Sequence, residues 1–259
     1  MQWRSLCPAL EALAERAPSP IAGFVYGAGF EDRPELLRLI AERWPLLGND
    51  ADTVRRIKAP KIFFAALDRL GIAHPKTASK QPRSGAGWVA KKTGGAGGSH
   101  IVPSRLATSS PDRYFQQRVE GRAVSALFVG NGSFARVLGF SEQWTSPSPR
   151  SPWRYGGAVR PASLPEDLAR QMASAVIGVA RAFKIKGLAS ADFLVKDGEA
   201  LLLEINPRPG ATLEIFDCGA TPLLSLRVSG QERRRPGSRD KPAFWIRSSA
   251  RTGRLRSCI

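Results

Sequence analysis

Two apolar runs separated by a short polar turn stand out in the C-terminal half of the chain. The runs cover residues 193–195 and 201–205, and the turn between them is Lys196-Asp197-Gly198. An Asp-Gly pair between apolar segments is typical of a tight β-hairpin. The pattern therefore predicts two antiparallel strands, along which successive side chains point to opposite faces.

Periodic patterns predict further elements along the rest of the chain. We expect helices at 8–16, 33–43 and 52–70, strands at 21–26 and 46–47, and a hairpin of 124–129 with 134–140 around Asn131-Gly132. Residues 163–166 have the form of a capping box that opens another helix. One face of that helix is apolar and is expected to be core: Leu168, Met172, Val176, Val179 and Phe183. The fold class that follows is α+β.

Polar side chains cluster where the two strands of the first hairpin end. Glu204 and Asn206 alternate with apolar residues and so share a face, and Asp192 begins the paired strand opposite them. Hard oxygen donors of this kind suit Mg²⁺, which also takes water and substrate phosphates as ligands. Arg208 adds a donor for a phosphate or carboxylate. The alternative is an ordinary hairpin with solvated charges, and the clustering favours a metal–nucleotide site over it.

A short apolar strand that ends in Lys91 and Lys92 precedes a glycine-rich loop. The loop contains Gly94, Gly95, Gly97, Gly98 and Ser99. Glycines let backbone N–H groups approach phosphate oxygens, and lysines supply positive charge. The spacing fits neither a Walker loop nor a dinucleotide fingerprint. A flexible linker would look similar, but the acidic hairpin about a hundred residues later favours a nucleotide site.

These segments together resemble the ATP-grasp superfamily of carboxylate–amine ligases. The matching residues are Val89–Lys91 with the glycine loop, residues 115–121, Asp192, and residues 203–208. More narrowly, residues 26–35, 139–144, 155–159 and 206–212 are similar to a branch associated with methanopterin-linked one-carbon metabolism, which includes tyramine–glutamate ligases. The resemblance implies an ATP-grasp fold, in which two α/β subdomains clasp ATP.

The resemblance also implies an activity with ATP and Mg²⁺ or Mn²⁺ as cofactors. A carboxylate, with glutamate as the leading guess, would attack the terminal phosphate, and an amine would displace the resulting acyl phosphate. Small-molecule carboxylate and amine substrates are the implied partners, and a homodimer is left open. The alternative function is a degenerate, non-catalytic ATP-binding protein.

Residue roles follow from the same resemblance. Lys91 is implied as the phosphate lysine, with Lys92 and Lys58 as further phosphate-binding cations, and Arg208 as the clamp on the acyl phosphate. Gln117, Arg118 and Val119 match the hinge that pairs with adenine through backbone groups. Many relatives have an acidic residue for the ribose just beyond this hinge, where this chain has Arg122-Ala123. Glu120 is a weak substitute, so ribose recognition stays open.

The charge and the two ends of the chain suggest three segments. Net charge is +17, yet residues 219–259 alone hold ten of the 39 basic side chains and two of the 22 acidic ones. We expect a truncated α/β segment at 1–50, partly exposed or disordered, an ATP-grasp domain at 51–218, and a disordered basic tail at 219–259. For the tail, a shift of reading frame near residue 220 is favoured over a functional basic arm.

Composition argues against other classes of protein. Aromatic residues do not alternate with the arginines as they do in stacking platforms, so we expect no nucleic-acid partner. No long apolar run or signal peptide is evident, and Cys7, Cys218 and Cys258 form no motif. A cytoplasmic protein without a membrane partner is therefore expected. His100, at the end of the glycine loop, is a minor candidate for a phosphate contact.

Overall fold

The computed structural model describes residues 3–17, 20–217 and 222–225. The described helices are α1 Trp3–Glu15, α2 Glu35–Ala41, α3 Ala51–Lys58, α4 Pro60–Arg69, α5 Glu166–Phe183 and α6 Leu213–Phe216, with 3₁₀ turns at Ser104–Leu106 and Leu223–Ser225. The strands are β1 Thr77–Ala78, β2 Trp88–Lys92, β3 Ile101–Pro103, β4 Arg113–Gln117, β5 Arg122–Asn131, β6 Ala135–Thr145, β7 Tyr155–Val159, β8 Lys186–Lys196 and β9 Glu199–Asn206. Apart from 222–225, the expected tail lies outside the described residues, as does Cys218.

The strands form two antiparallel sheets. The smaller sheet has the order β1-β4-β2-β3, and the larger one has the order β7-β6-β5-β8-β9. Helix α5 covers the larger sheet, and its predicted apolar face is confirmed, because Val176, Val179 and Phe183 are buried in the main core. The smaller sheet has its own core around Ala90 and Phe115. Two sheets with associated helices agree with the expected α+β class.

Both predicted hairpins are confirmed. β8 and β9 pair through a turn in which Asp197 and Gly198 have φ of 50° and 82°, the positive values that such two-residue turns need. β5 and β6 meet at Asn131-Gly132, where the Asn131 side chain accepts the N–H groups of Ser133 and Phe134. The strands of this second hairpin are longer than predicted at both outer ends.

Two helix predictions are wrong. The expected helix at 52–70 is two helices, because Pro60 forces the preceding Ala59 out of the helical region, to φ −78° and ψ 108°. The expected capping box at 163–166 does not form. Helix α5 begins at Glu166 after Pro165, with no side-chain cap, so Ser163 lies too far upstream to accept from the first turn. The break at Ala59 matters, because it makes Lys58 the last residue of α3.

The N-terminal segment is packed in part, while Leu13, Ile21 and Leu47 remain exposed. Leu37, Ile40 and Val54 are fully buried in one cluster with the aromatic rings of Tyr26 and Phe30. The expected strands at 21–26 and 46–47 reduce to a single parallel bridge between Phe24 and Leu46. Burial against α2 and α3, rather than a sheet, therefore orders this segment. None of the described helices is long and apolar enough to cross a membrane.

Candidate functional site

The three candidate metal ligands lie together on β8 and β9. Asp192 is opposite Glu204, and Ser190 is opposite Asn206. The Asn206 amide nitrogen donates to the Asp192 carboxylate at 2.8 Å. The register shifts between Asp192 and Phe193, which adds one residue on β9 and is the irregularity that commonly re-aims side chains near functional sites. The sequence prediction of their convergence is therefore confirmed, while their role as ligands stays a prediction.

Lys58 joins this cluster from the end of α3. Its ammonium nitrogen lies 3.2 Å from the side-chain oxygen of Asn206 and 3.6 Å from a carboxylate oxygen of Glu204. The helix break after Lys58 ends α3 at the point where this side chain reaches the cluster. A lysine, two carboxylates and an amide therefore lie together, with Lys58 and Asn206 buried and both carboxylates half-buried.

The two carboxyl groups of the cluster have opposite pKa shifts. Burial works to raise the pKa of Glu204, but the positive charges of Lys58, Lys91, His100 and Arg208 outweigh it and lower this pKa to about 2. Burial raises the pKa of Asp192, and the negative charge of Glu204 raises it further. Ser125 partly offsets that shift, because its hydroxyl donates to Asp192 at 2.7 Å. Glu204 is therefore the more firmly ionised member of the pair.

This set of donors fits a divalent cation that is shared with phosphates. Within the described part of the chain, no three His, Cys, Asp or Glu side chains gather as a metal cage. Two carboxylates and one amide oxygen would leave ligand positions for water and phosphate oxygens, as Mg²⁺ prefers. The oxygens of Glu204 and Asn206 already face a cation, the Lys58 ammonium. Asp192, Glu204 and Asn206 thus have the chemistry to hold Mg²⁺.

Lys91 is a buried cation on the smaller sheet. Its side chain donates to the Gln116 side-chain oxygen at 3.3 Å and lies 5.9 Å from the centre of the Tyr114 ring. Burial would lower the pKa of Lys91, but Tyr114, Glu204 and Asp192 together raise it above its ordinary value. The lysine therefore stays charged and faces the acidic cluster across the two sheets.

Tyr114 and Gln116 were not among the predicted site residues. They occupy alternate positions on β4, so both lie on the face that meets Lys91. The Gln116 amide nitrogen is buried and has no hydrogen-bond partner among the described residues. The alternation along residues 113–117 could have indicated them once this segment was paired with β2.

Lys92 points away from Lys91 and contacts the N-terminal segment. Its ammonium nitrogen lies 3.4 Å from Asp32, and its side chain is 45% exposed. It also lines a small cleft together with Lys58, Gly94 and Glu204. Lys92 is thus close enough to the acidic cluster to serve as a second phosphate lysine, which stays a prediction.

Neighbouring segments hold the glycine loop on two sides. A side chain at Gly94 would meet backbone atoms of Glu31 and Asp32, and one at Gly98 would meet the Trp153 backbone. The Gly97 carbonyl accepts the Tyr155 N–H at 3.0 Å. Gly95 packs on the His100 ring, and burial lowers the pKa of this histidine. The Ser99 hydroxyl donates to the Ala96 carbonyl at 3.4 Å. Close approach of backbones, rather than flexibility alone, therefore explains the glycine at positions 94 and 98.

Gly94→Ala is expected to destabilise the protein more than Gly97→Ala. Both glycines have positive φ, of 72° and 67°, so both alanines should cost about 1–2 kcal/mol. Only at Gly94 would the new Cβ lie 2.7 Å from backbone atoms, whereas nothing lies within 4 Å at Gly97. That overlap should add about 1–3 kcal/mol. Urea unfolding without nucleotide measures both changes, and equal losses would contradict the contact with Glu31 and Asp32.

The predicted adenine hinge lies apart from the acidic cluster. The N–H groups of Gln117 and Arg118 already donate to Lys76 and Gly87, both at 2.8 Å, and the Arg118 side chain pairs with Glu120 at 3.0 Å. Gln117, Arg118 and Glu120 are exposed, and Val119 is half-buried. No described contact joins them to Glu204 or Lys91. Their adenine and ribose roles therefore remain predictions, and two of the backbone donors are already in use.

Arg208 is buried against a residue that the sequence predictions did not include. Its Nε donates to a Glu31 carboxylate oxygen at 2.7 Å, and both side chains are buried. Glu31 lies in the segment that carried the narrower resemblance, but nothing in its spacing identified it as a partner of Arg208. The N-terminal segment thus supplies one wall of the candidate site.

Comparisons with known proteins agree with this architecture. Residues 61–212 match the family model described as "ATP-grasp domain". The carbamoyl phosphate synthase large chain of Myxococcus xanthus is 21% identical over 227 residues, which cover 77% of this chain and 21% of that protein.

Two solved structures share the fold. An ATP-grasp superfamily protein from Archaeoglobus fulgidus superposes with a TM-score of 0.60 at 17% identity, over 78% of this chain and 62% of that one. The second structure is the biotin carboxylase domain of Hydrogenobacter thermophilus 2-oxoglutarate carboxylase in complex with MgADP and bicarbonate. It superposes with a TM-score of 0.63 at 14% identity, over 80% of this chain and 51% of that one. The chain thus spans less than two thirds of each of these relatives.

Proposed function

The chain belongs to the ATP-grasp family, and from that premise we propose that it is an ADP-forming ligase that joins a carboxylate to an amine. The observation that carries the proposal is the cluster of Asp192, Glu204 and Asn206 with Lys58, faced by the buried Lys91. Such a cluster suits the binding of phosphates together with a divalent cation. Substrates remain part of the proposal, because the family relation establishes the fold and supports ATP binding but identifies no substrate.

The proposed reaction has two steps. A carboxylate oxygen of the first substrate attacks the terminal phosphorus of ATP, so that an acyl phosphate forms and ADP leaves. The amine then attacks the acyl carbon, the amide bond forms, and inorganic phosphate leaves with a proton released from the nitrogen. When bound by Asp192, Glu204 and Asn206, Mg²⁺ would neutralise phosphate charge.

The side chains act mainly by charge and position. Lys91, Lys58 and Lys92 would bind phosphate oxygens from separate directions, and the glycine loop would cover them with backbone N–H groups. Arg208 would bind the transferred phosphoryl group through its guanidinium. None of these groups needs to react covalently, as is usual in phosphoryl transfer.

The substrate proposal goes one step further than the family. The similarity of residues 26–35 and 206–212 to tyramine–glutamate ligases supports glutamate as the carboxylate and a role in one-carbon cofactor synthesis. Trapping the acyl phosphate with hydroxylamine tests both the ligase activity and the choice of glutamate as substrate. The protein incubated with MgATP, glutamate and hydroxylamine should give a hydroxamate and an equal amount of ADP.

A panel of other amino acids and small carboxylates separates the possible outcomes. A hydroxamate with another carboxylate would keep the ligase proposal and replace glutamate. ATP binding without hydroxamate or ADP for any member of the panel would favour the alternative, a non-catalytic ATP-binding protein. Omitting Mg²⁺ or Mn²⁺ is the matched control, and it should abolish the product.

A further inference from the structure

Two of the three guanidinium nitrogens of Arg208 are held by fixed partners. Its Nε donates to Glu31 at 2.7 Å, and its Nη1 donates to the Pro209 carbonyl at 3.2 Å. The remaining Nη2 has no hydrogen-bond partner among the described residues. The side chain is 8% exposed and that of Glu31 is fully buried. One nitrogen of a firmly held guanidinium is therefore left for a ligand.

Glu31 is itself fixed in place. Its second carboxylate oxygen accepts the Gly29 N–H at 3.1 Å, and its backbone lies against Gly94 of the glycine loop. A second hydrogen bond joins the N-terminal segment to the chain next to Arg208: the Asn49 amide nitrogen donates to the Pro207 carbonyl at 2.9 Å. The Glu31 carboxylate is therefore held by contacts other than the one to Arg208.

We propose that Glu31 is a positioning residue, which orients Arg208 so that its Nη2 edge faces the transferred phosphoryl group. The inference rests on the proposed function. A buried ion pair generally adds little net stability over apolar side chains of similar volume, because both charges must leave water. A role for the guanidinium at the acidic cluster explains why such a costly pair lies beside it, because Arg208 follows the end of β9 and its backbone N–H donates to the Asn206 carbonyl at 2.8 Å.

Two substitutions separate position from charge. Glu31→Gln keeps the length and an acceptor oxygen but loses the charge, whereas Glu31→Asp keeps the charge but retracts the carboxylate by one methylene. We expect kcat to fall by about tenfold for Glu31→Gln and by about a hundredfold for Glu31→Asp, because misplacement of about 1 Å is costly. The reverse order would mean that charge, not position, is what Glu31 supplies.

Two controls complete this set. Glu35→Gln removes one negative charge from an exposed position in the same segment and should leave kcat unchanged. In an Arg208→Ala background, Glu31→Asp should cause no further loss, because the group that it positions is gone. The inference would be overturned if the double variant lost as much kcat as the product of the two single losses. Wild-type kcat in both Glu31 variants would also overturn it.

A binding measurement distinguishes this inference from the proposed ligase activity. The wild-type protein should bind the Mg²⁺ complex of β,γ-imido-ATP more tightly than MgADP, because Nη2 of Arg208 contacts the terminal phosphate. Glu31→Asp should remove that difference by calorimetry, while Glu35→Gln should keep it. If no carboxylate is ligated but the difference in affinity between the two nucleotides behaves as expected, the proposed ligase activity fails and the role of Glu31 stands. If the wild type binds both nucleotides equally, or Glu31→Asp retains the difference, the role of Glu31 fails.

Discussion

Glu204→Gln is expected to lower MgATP-dependent turnover by about a thousandfold while the protein stays folded. Glu204 has the pKa that its neighbours lower to about 2, so it supplies a firm negative charge to the divalent cation. Glutamine fills the same space but brings no charge, and it leaves Asp192, whose pKa is raised, as the sole carboxylate of the cluster. Losing one preorganised electrostatic contact typically costs about 10²–10³ in rate, and loss of the cation adds to it.

Thermal unfolding with and without MgADP checks this prediction independently of turnover. Saturating ligand at about a hundred times its dissociation constant should stabilise the wild type by about 2.7 kcal/mol. Glu204→Gln should lose most of that increment. Glu199→Gln, an exposed position on the same strand, should retain it. Full turnover in Glu204→Gln would remove this residue from the metal site.

Lys91→Met is expected to reduce kcat/KM for MgATP by about a hundredfold or more. Methionine matches much of the buried volume, so the substitution removes mainly the ammonium that faces Glu204 and Asp192. A charge in a buried site is poorly screened by water and salt. Removing the Lys91 charge should therefore lower kcat/KM more than removing the charge of a surface lysine. Steady-state kinetics at varied MgATP measure the effect.

The matched control for this lysine is Lys80→Met, which removes the same charge from an exposed position. It should keep wild-type kcat/KM. Lys91→Arg retains the charge, but its larger guanidinium must fit beside Tyr114 and Gln116. An intermediate rate is expected for it. Equal kinetics in Lys91→Met and Lys80→Met would show that Lys91 does not contact the nucleotide.

The convergence of the hairpin cluster could be predicted from sequence because it depends on local rules. Alternation along β9 places Glu204 and Asn206 on one face, and the Asp197-Gly198 turn pairs β9 with β8. The register shift after Asp192, which brings this residue opposite Glu204 rather than Leu203, was not predicted. Lys91 could be identified as a candidate because it ends an apolar strand that precedes the glycine loop. The resemblance to the ATP-grasp superfamily, also drawn from sequence, agrees with the family model.

Contacts between distant segments could not be predicted in this way. Glu31 and Arg208 are 177 residues apart, and no periodicity links them. The break at Ala59 was missed because the apolar pattern continues through Pro60, although the restriction on the residue before proline was visible. The packed part of the N-terminal segment was not predicted because helices α2 and α3, rather than a closed sheet, supply its core.

The pairing of Glu31 with Arg208 has a consequence for synthesis of the chain. At about 5–20 residues per second, a ribosome needs on the order of 10–35 s to travel the 177 residues between them. During that time Glu31 lacks the guanidinium with which it pairs in the folded protein, so burial of its carboxylate would leave an unpaired charge. The wall of the site that Glu31 supplies is therefore synthesised before Arg208 and completed only after it.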